Sequence, residues 1–250
     1  MAKGALIVAV QVLSCEGSGT SAGVLAGINW ALADALQQQQ RAVMSMSLGG
    51  PQSQAENDAI DVAHARGVVV VVAAGNDAAD ACQSSPASAP DAVTVGSTTA
   101  ADQMSSFSSY GPCVDIFAPG SSVRGAWSTS DSATNTISGT SMATPHVAGA
   151  AALIRSERPD LSAAGTINVL RCMATADTIT GVPSNTLNLF LYAGAATTQP
   201  SNLNCLFPPL APPPPPPVPF PPAGDAGGPI ELEITITTDN WPSALSAPAE

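Results

Sequence analysis

The chain has 250 residues, which is enough for one sizeable core, and 45% of them are hydrophobic, which excludes general disorder. Its 7 Lys and Arg residues stand against 19 Asp and Glu, giving a formal net charge of -12. Phosphate contacts need basic residues, so we expect no nucleic acid partner. The longest apolar run, "GVVVVVAAG" at 67–75, is only of strand length, and we expect no membrane contact.

Strand and helix patterns alternate through the first third of the chain. Residues 5–13, "ALIVAVQVL", are predicted as a buried strand because the run is apolar and short, and residues 21–40 are predicted as a helix. The helix prediction depends on four apolar residues at helical spacing: Val24, Ile28, Leu32 and Leu36. Residues 42–50, "AVMSMSLGG", are predicted as a second strand that ends in a glycine turn.

A second helix and a third strand follow. Residues 54–67 are predicted as a helix ended by Gly67, and residues 68–76, "VVVVVAAGN", as a continuous buried strand. This β-α-β-α-β order predicts a parallel sheet with helices on both faces. Ligands bind at the carboxyl ends of such strands, so we expect "SLGG" at 47–50 and "AAGN" at 73–76 to lie at one rim.

A serine stands where an apolar helix begins. In "GTSMATPHVAGAAAL" at 139–153, the residues from Ala143 onward are small and apolar nearly all round, which predicts a helix buried through the centre of the domain. Ser141 then lies at its N-terminus, where free backbone N–H groups and the positive end of the helix dipole suit a developing oxyanion. The alternative is that Ser141 is only the N-cap of this helix.

The same segment resembles the subtilisin-like serine proteases, or subtilases, in the branch of proteinase K and aqualysin. The resemblance also covers "SMSLGG" at 45–50 and "VVVAAGNDAADACQSSPASAP" at 70–90, and it extends over residues 2–192. It implies an α/β fold, the subtilisin-like three-layer fold with a central parallel sheet. It also implies a serine-type endopeptidase that cleaves peptide bonds through an acyl-enzyme on Ser141, with Asn76 as the side-chain donor of the oxyanion hole.

The resemblance also implies a substrate groove, in which a peptide adds itself as a strand between two edges. One edge is "GSGTS" at 17–21 and the other is "SLGG", and Gly49 with Ala74 and Gly75 would line the first specificity pocket, with room for an apolar or aromatic side chain. The expected substrate-binding residues are Gly17, Gly19, Ser47, Leu48, Gly49, Ala74 and Gly75. Taken alone, such glycines are more often plain turns.

A structural calcium ion is a further implication of the resemblance. The carbonyls of Pro90 and Ala92 and the carboxylate of Asp115 match a calcium site of the proteinase K type, and hard oxygen ligands suit calcium. From the residues alone, Asp115 is also explained as a turn or surface carboxylate.

Five cysteines leave one without a partner if the others pair. The resemblance implies a disulfide between Cys82 and Cys113. Cys15 matches one half of a second aqualysin-type disulfide, whose other half would stand upstream of this chain. Cys172 and Cys205 have no counterpart in the family, and the sequence leaves open whether they pair.

A base for Ser141 is missing from the pattern. Subtilases carry their triad in the order Asp, His, Ser, but the chain has only two histidines. His146 follows Ser141 by five residues, about 140° round the helix, so it cannot face the hydroxyl. His64 is expected on a solvated helix face.

The first residues offer a reason. Residues 1–19 resemble the segment that follows the catalytic histidine's helix in aqualysin-like enzymes, so we expect the N-terminal strands and the histidine helix to be missing and the chain to be inactive alone. The apolar start also imitates a secretion signal, but Gln11 interrupts the run. A catalytically dead peptide-binding homologue is the alternative function.

Three regions are expected along the chain. Residues 1–195 form a partial subtilase catalytic domain, residues 196–229 a proline-rich linker, and residues 230–250 the first strand of a truncated β-domain, since "IELEITITT" alternates apolar and polar residues. The resemblance implies a secreted monomer that acts on polypeptides.

Overall fold

A computed structural model of the chain describes residues 2–38 and 41–193. Four α-helices occur there, and they are α1 (Ser21–Gln37), α2 (Gln54–Ala65), α3 (Thr140–Glu157) and α4 (Ala163–Met173). The ten strands of the described residues are β1 (Val43–Met46), β2 (Gly50–Pro51), β3 (Val69–Ala73), β4 (Ser84–Ser85), β5 (Val93–Thr98), β6 (Ile116–Pro119), β7 (Val123–Ala126), β8 (Thr134–Ile137), β9 (Thr175–Ala176) and β10 (Leu189–Phe190).

Six of these strands form the central sheet, in the order β1-β3-β5-β6-β10-β9. Every neighbouring pair is parallel except β10 with β9. Two small antiparallel pairs, β2 with β4 and β7 with β8, lie outside it. The helices cover both faces, so the predicted α/β fold with a central parallel sheet is confirmed.

The valine run of β3 explains why both faces are covered. Successive strand residues point to opposite faces, and all five residues of β3 are buried. Val69 and Val71 pack in a core with Val147 of α3, while Val70 and Val72 pack in a second core with Ile28 of α1. A strand buried on both faces reads as an unbroken apolar run, as this one does.

Short polar side chains begin three of the helices. Thr20 Oγ1 accepts a hydrogen bond from the Gly23 N–H at 3.0 Å, and Ser53 and Ser162 cap α2 and α4 in the same way. The predicted end of α2 is confirmed, because Gly67 has a φ of +90°. The predicted apolar face of α1 is wrong at its last turn, where Ala35 is buried and Leu36 is 41% exposed.

The prediction of a buried strand at residues 5–13 is wrong. These residues form no strand, and Leu6 and Ile7 are 77% and 82% exposed. A strand requires a neighbour for its backbone groups and a cover for its side chains. The described part of the chain gives residues 5–13 no strand partner and covers only their last residues, where Val12 packs against the second core, although the composition of the run is that of a core strand.

Other expectations fall on residues that the structure does not describe. The linker at 196–229, the strand at 230–250 and Cys205 lie outside the described residues. Among the residues that are described, no helix combines the length and the apolar character needed to cross a bilayer.

Candidate active site

Ser141 is the second residue of α3. The N-cap is Gly139, and no side chain makes a capping hydrogen bond there, so the alternative that Ser141 caps the helix is wrong. Two hydrogen bonds anchor the start of α3. The Gly139 N–H donates to the Gly120 carbonyl at 2.9 Å, and Ser47 Oγ donates to the Ser141 carbonyl at 2.8 Å. The serine is half-buried at the start of a well-anchored helix.

Thr140 orients the Asn76 side chain. The Thr140 N–H and the Thr140 hydroxyl both donate to Asn76 Oδ1, at 2.8 and 2.9 Å. A backbone N–H can only donate, so this pair assigns the oxygen of the amide and leaves its NH₂ group on the other side. Asn76 Nδ2 lies 3.8 Å from the position that a Cβ on Gly139 would take. The amide donor therefore faces the backbone that begins the serine helix.

The register of the sheet brings the two predicted rim segments together. Met46 of β1 lies opposite Val72 of β3 in a parallel pair, so Ser47 and Asn76 both follow the carboxyl ends of adjacent strands. Ser47 contacts Ser141, and Asn76 contacts Thr140. The rim predicted from the strand order is present, and the serine helix begins on it.

The glycines of the predicted groove have backbone reasons of their own. Gly17 and Gly75 have φ values of +80° and +106°, which favour glycine. A Cβ on Gly19 would lie 2.5 Å from the Val12 carbonyl oxygen. Gly49 is exposed and Ala74 is buried beneath the rim. Small residues at these positions are compatible with the open edges of a groove. Their role in substrate binding stays a prediction.

Three hydrogen-bonded serines near the turn before Ser141 were not predicted from the sequence. Ser97 Oγ lies 2.7 Å from Ser105 Oγ, which lies 2.8 Å from Ser121 Oγ. A Cβ on Gly120 would lie 2.3 Å from Ser97 Oγ and 2.7 Å from the Gly139 carbonyl oxygen. The serines and Gly120 thus fix the turn before Ser141, and no local pattern in the sequence predicted this packing.

Neither histidine reaches the serine. His146 Nδ1 lies 2.8 Å from the Met142 carbonyl oxygen, one turn back on α3. His64 lies in the last turn of α2; it is half-buried rather than solvated as predicted, and its Nδ1 is buried without a partner. Both histidines of the chain belong to the described residues, and neither of them hydrogen-bonds to Ser141 there.

The predicted calcium ligand Asp115 already holds two donors. Its Oδ2 accepts from the Thr94 N–H at 2.8 Å and its Oδ1 from Arg171 Nη2 at 2.5 Å. Burial raises the pKa of Asp115, and the positive charge of Arg171 opposes that rise. Within residues 2–38 and 41–193, no group of three or more His, Cys, Asp or Glu side chains could hold a metal. The predicted ligands still have the chemistry that calcium requires. Each carboxylate oxygen of Asp115 keeps a lone pair, and Pro90 and Ala92 add carbonyl oxygens.

One disulfide closes the loop beyond Asn76. Cys82 and Cys113 are bonded, with their Cα atoms 5.4 Å apart, as the resemblance implied. Cys15 is exposed and forms no disulfide within the described part of the chain. Cys172 is disulfide-bonded rather than free.

Comparisons with known proteins identify a family. The family model described as the subtilase family, Peptidase_S8, matches residues 1–189. An extracellular serine proteinase of Thermus sp. (strain Rt41A) is 48% identical over 192 residues, which are 77% of this chain and 46% of that protein. A cuticle-degrading serine protease of Arthrobotrys oligospora is 45% identical over 197 residues, 78% of this chain and 48% of that protein.

A solved structure is similar as well. The crystal structure of a cold-adapted subtilisin-like serine proteinase matches with a TM-score of 0.69 and 47% sequence identity, covering 74% of this chain and 66% of that one. The chain spans about half the length of the two curated relatives described above.

Proposed function

The chain belongs to the subtilase family, and we propose that its site performs serine endopeptidase chemistry, with Ser141 as nucleophile and Asn76 as oxyanion donor. The observation that carries this proposal is the double hydrogen bond from Thr140 to Asn76 Oδ1, which leaves the amide NH₂ facing the start of the serine helix. A donor fixed in this way costs no reorganisation when charge develops on the substrate oxygen.

The reaction proceeds by acyl transfer. Ser141 Oγ attacks the carbonyl carbon of the peptide bond, its proton passes to a base, and the carbonyl oxygen becomes an oxyanion that accepts from Asn76 Nδ2–H. The C–N bond then breaks, the amine leaves with a proton, and an ester forms on Ser141. Water attacks that ester, and the acid product and the free serine are released.

Neither histidine of this chain is placed to act as the base that takes the proton from Ser141 Oγ. Since neither His64 nor His146 bonds to Ser141, we propose that the proton passes to solvent hydroxide and that the chain alone is nearly inactive. Loss of the histidine in subtilisin lowers turnover by about 2 × 10⁶-fold and leaves the effects of the oxyanion hole and of binding.

Substrate binding follows from the two edges of the rim. We propose that an extended polypeptide lies between 17–21 and 47–50 and pairs with both through backbone hydrogen bonds. The small residues Gly49, Ala74 and Gly75 leave room for an apolar or aromatic side chain before the cleaved bond.

Calcium has a structural place in this proposal. The carbonyls of Pro90 and Ala92 and the carboxylate of Asp115 would hold it, and the ion would supply the positive charge that Arg171 now shares with that carboxylate. We also propose secretion, since one relative is named an extracellular proteinase, a monomeric state, and the three regions 1–195, 196–229 and 230–250.

A peptide-binding protein without catalysis is the second candidate. It is favoured by one observation: Ser47 and Asn76 both contact the start of α3, but neither histidine bonds to Ser141. It predicts binding of extended peptides and no acyl-enzyme at any pH.

A slow-turnover assay separates the two. A peptide p-nitroanilide with phenylalanine before the cleaved bond is incubated for hours with the full chain, with Ser141→Ala, and with the exposed control Ser132→Ala. Endopeptidase chemistry predicts slow release that rises with pH and is lost only in Ser141→Ala. Release of p-nitroaniline by Ser141→Ala would refute endopeptidase chemistry at Ser141. So would the absence of release from all three proteins at pH 10.

A further inference from the structure

The two edges of the proposed groove lead into the N-termini of two helices. The edge 17–21 ends at Ser21, the first residue of α1, and the edge 47–50 continues through β2 into the first turn of α2, which carries Glu56. The two helices pack against each other, and the Ser21 side chain hydrogen-bonds to the Glu56 carboxyl. A buried carboxyl group therefore lies where the helices that continue the two edges meet, and the reaction proposed at Ser141 makes no use of it.

Helix capping does not account for Glu56. Ser53 is the N-cap of α2, and Glu56 follows it by three residues, the spacing of a capping box in which the glutamate bonds back to the N-cap N–H. The Ser53 N–H donates instead to Ser85 Oγ, at 2.8 Å. The cap is thus complete without the carboxyl, which contacts α1.

Glu56 lies on the face of α2 that packs against α1. Ile60 is one turn further along the same face, and it is buried in the second core with Val24 of α1, against which Leu48 also packs. Glu56 itself is only 6% exposed. Burial raises the pKa of Glu56, and the hydrogen bond from Ser21 opposes that rise. The surroundings of the carboxyl thus combine an apolar core with one hydroxyl group.

The carboxyl of Glu56 lacks a positive partner. No basic side chain forms an ion pair with it among the residues that the structure describes. Its buried neighbour Asn57, in contrast, has a partner at each end of its amide, Ser85 and Ser88. An ionised carboxylate can accept about four hydrogen bonds, and Ser21 supplies one of them. A buried carboxylate without a counter-charge is costly, and a cation that donates hydrogen bonds would satisfy it.

We propose that Glu56 selects a basic side chain in the polypeptide that the groove binds, an inference that rests on the proposed function. An extended peptide directs alternate side chains toward the floor of the groove, and one that reaches the end near Ser21 meets the Glu56 carboxylate. Arginine fits best, because its donors match a carboxylate in pairs and its stem packs on apolar surface. The side chain before the cleaved bond enters a different place, lined by Gly49, Ala74 and Gly75.

Binding of short peptides to the full chain, measured by isothermal calorimetry, tests this selection. The parent is acetylated, amidated AAAAF, and arginine replaces each alanine in turn, with citrulline as its uncharged counterpart. We expect arginine to bind about tenfold more tightly than citrulline at one position, the effect of one hydrogen bond to a charged group. A preference at all four positions would show attraction by the net charge of -12 and would overturn the proposal. Ser141→Ala should give the same affinities, since binding needs no chemistry there.

Glu56→Gln keeps the shape of the side chain and removes its charge, and Glu157→Gln is the matched control. Glu157 is exposed at the last residue of α3, about 24 Å along the helix from Ser141. The preference for arginine should vanish in Glu56→Gln and persist in Glu157→Gln, with both variants folded by circular dichroism. A carboxyl that only interacts with the N-termini of α1 and α2 would alter stability and leave the preference unchanged, and that result overturns the proposal.

Two outcomes separate this inference from the proposed function. Equal affinity of every arginine peptide and its citrulline counterpart for the unmodified chain overturns the inference alone. Failure of every peptide to bind overturns it together with the proposed groove. Because the first comparison uses the unmodified chain, it decides the question even if Glu56→Gln does not fold.

Discussion

The side chain of Asn76 is oriented by Thr140, which lies 64 positions away in the sequence. Thr140 uses both its backbone N–H and its hydroxyl on the same amide oxygen, and the Gly75 N–H donates to that hydroxyl at 3.3 Å. Thr140 itself is completely buried. Asn76, the proposed oxyanion donor, is thus positioned by the residue next to Ser141, the proposed nucleophile, and any movement of one affects the other.

Removing these contacts should lower the rate at which Ser141 reacts, and the loss should be larger when more of the contacts are removed. Asn76→Ala is expected to lower the rate of fluorophosphonate labelling at Ser141 by about 10²- to 10³-fold, the loss for one oxyanion donor. Thr140→Val keeps the backbone bond and should cost less. The rates are measured by intact mass with excess probe. Thr136→Val, at an exposed position, should match the unmodified chain, and an unchanged rate in Asn76→Ala would exclude the proposed role.

Arg171 should matter most when Asp115 is charged. Burial already raises the pKa of Asp115, and Arg171→Met would raise it further by removing the opposing charge. The charged carboxylate is then penalised above that pKa, so the variant should lose about 1 to 3 kcal/mol at pH 7.5, discounted because Arg171 is 39% exposed. The loss should shrink as the pH falls through the pKa of the folded state, because the carboxyl takes up a proton.

Urea unfolding at pH 7.5 and at pH 4.5 measures the difference. Arg158→Met removes an arginine from the exposed pair with Asp160 and should lose less stability than Arg171→Met at pH 7.5. A loss in Arg171→Met that is equal at the two pH values would contradict the account of Asp115.

Calcium should compete with Arg171 for the same carboxylate. We expect millimolar calcium to raise the unfolding temperature of the chain, to raise it more in Arg171→Met, and to have no effect in Asp115→Asn, since that variant lacks the charged ligand. Magnesium, which demands a tighter octahedral site, is the control ion. A shift that persists in Asp115→Asn would place the ion elsewhere.

The start of α3 depends on strands that precede it by 20 residues or more. Gly120 follows β6, accepts from the Gly139 N–H at 2.9 Å, and leaves no room for a side chain between Ser97 and Gly139. The two central strands β5 and β6 therefore set the position of the turn that precedes Ser141. The N-cap residue Gly139 supplies no capping side chain, so the N-terminus of α3 is held by the Gly139–Gly120 backbone bond together with the side chains of Asn76 and Ser47.

Gly120→Ala should test that dependence. The added Cβ would meet Ser97 Oγ at 2.3 Å and the Gly139 carbonyl oxygen at 2.7 Å, so we expect a loss of about 1 to 3 kcal/mol in the free energy of unfolding. Gly125→Ala in β7 is the matched control, because its Cβ would meet nothing within 4 Å. Equal stability of the two variants would show that the turn is not packed as described.

The parts of the fold that were predicted correctly are those that local sequence pattern determines. The valine run of β3, the apolar helix after Ser141 and the rim shared by Ser47 and Asn76 were predicted correctly, because strand periodicity and parallel order determine them. The strand at 5–13 was not, because a strand also requires a partner that its own composition cannot reveal. The bonds from Thr140 to Asn76 join positions too distant for any local signal.

We propose that the chain holds a serine nucleophile, Ser141, and its oxyanion donor, Asn76, but that neither of its two histidines activates the serine. The most direct measurement is the rate of fluorophosphonate labelling at Ser141, located by peptide mass, in the full chain and in the double variant His64→Gln and His146→Gln. We predict labelling over hours and equal rates in both proteins. Stoichiometric labelling of the full chain within minutes, lost in the double variant, would contradict the account by showing that one of its histidines serves as the base.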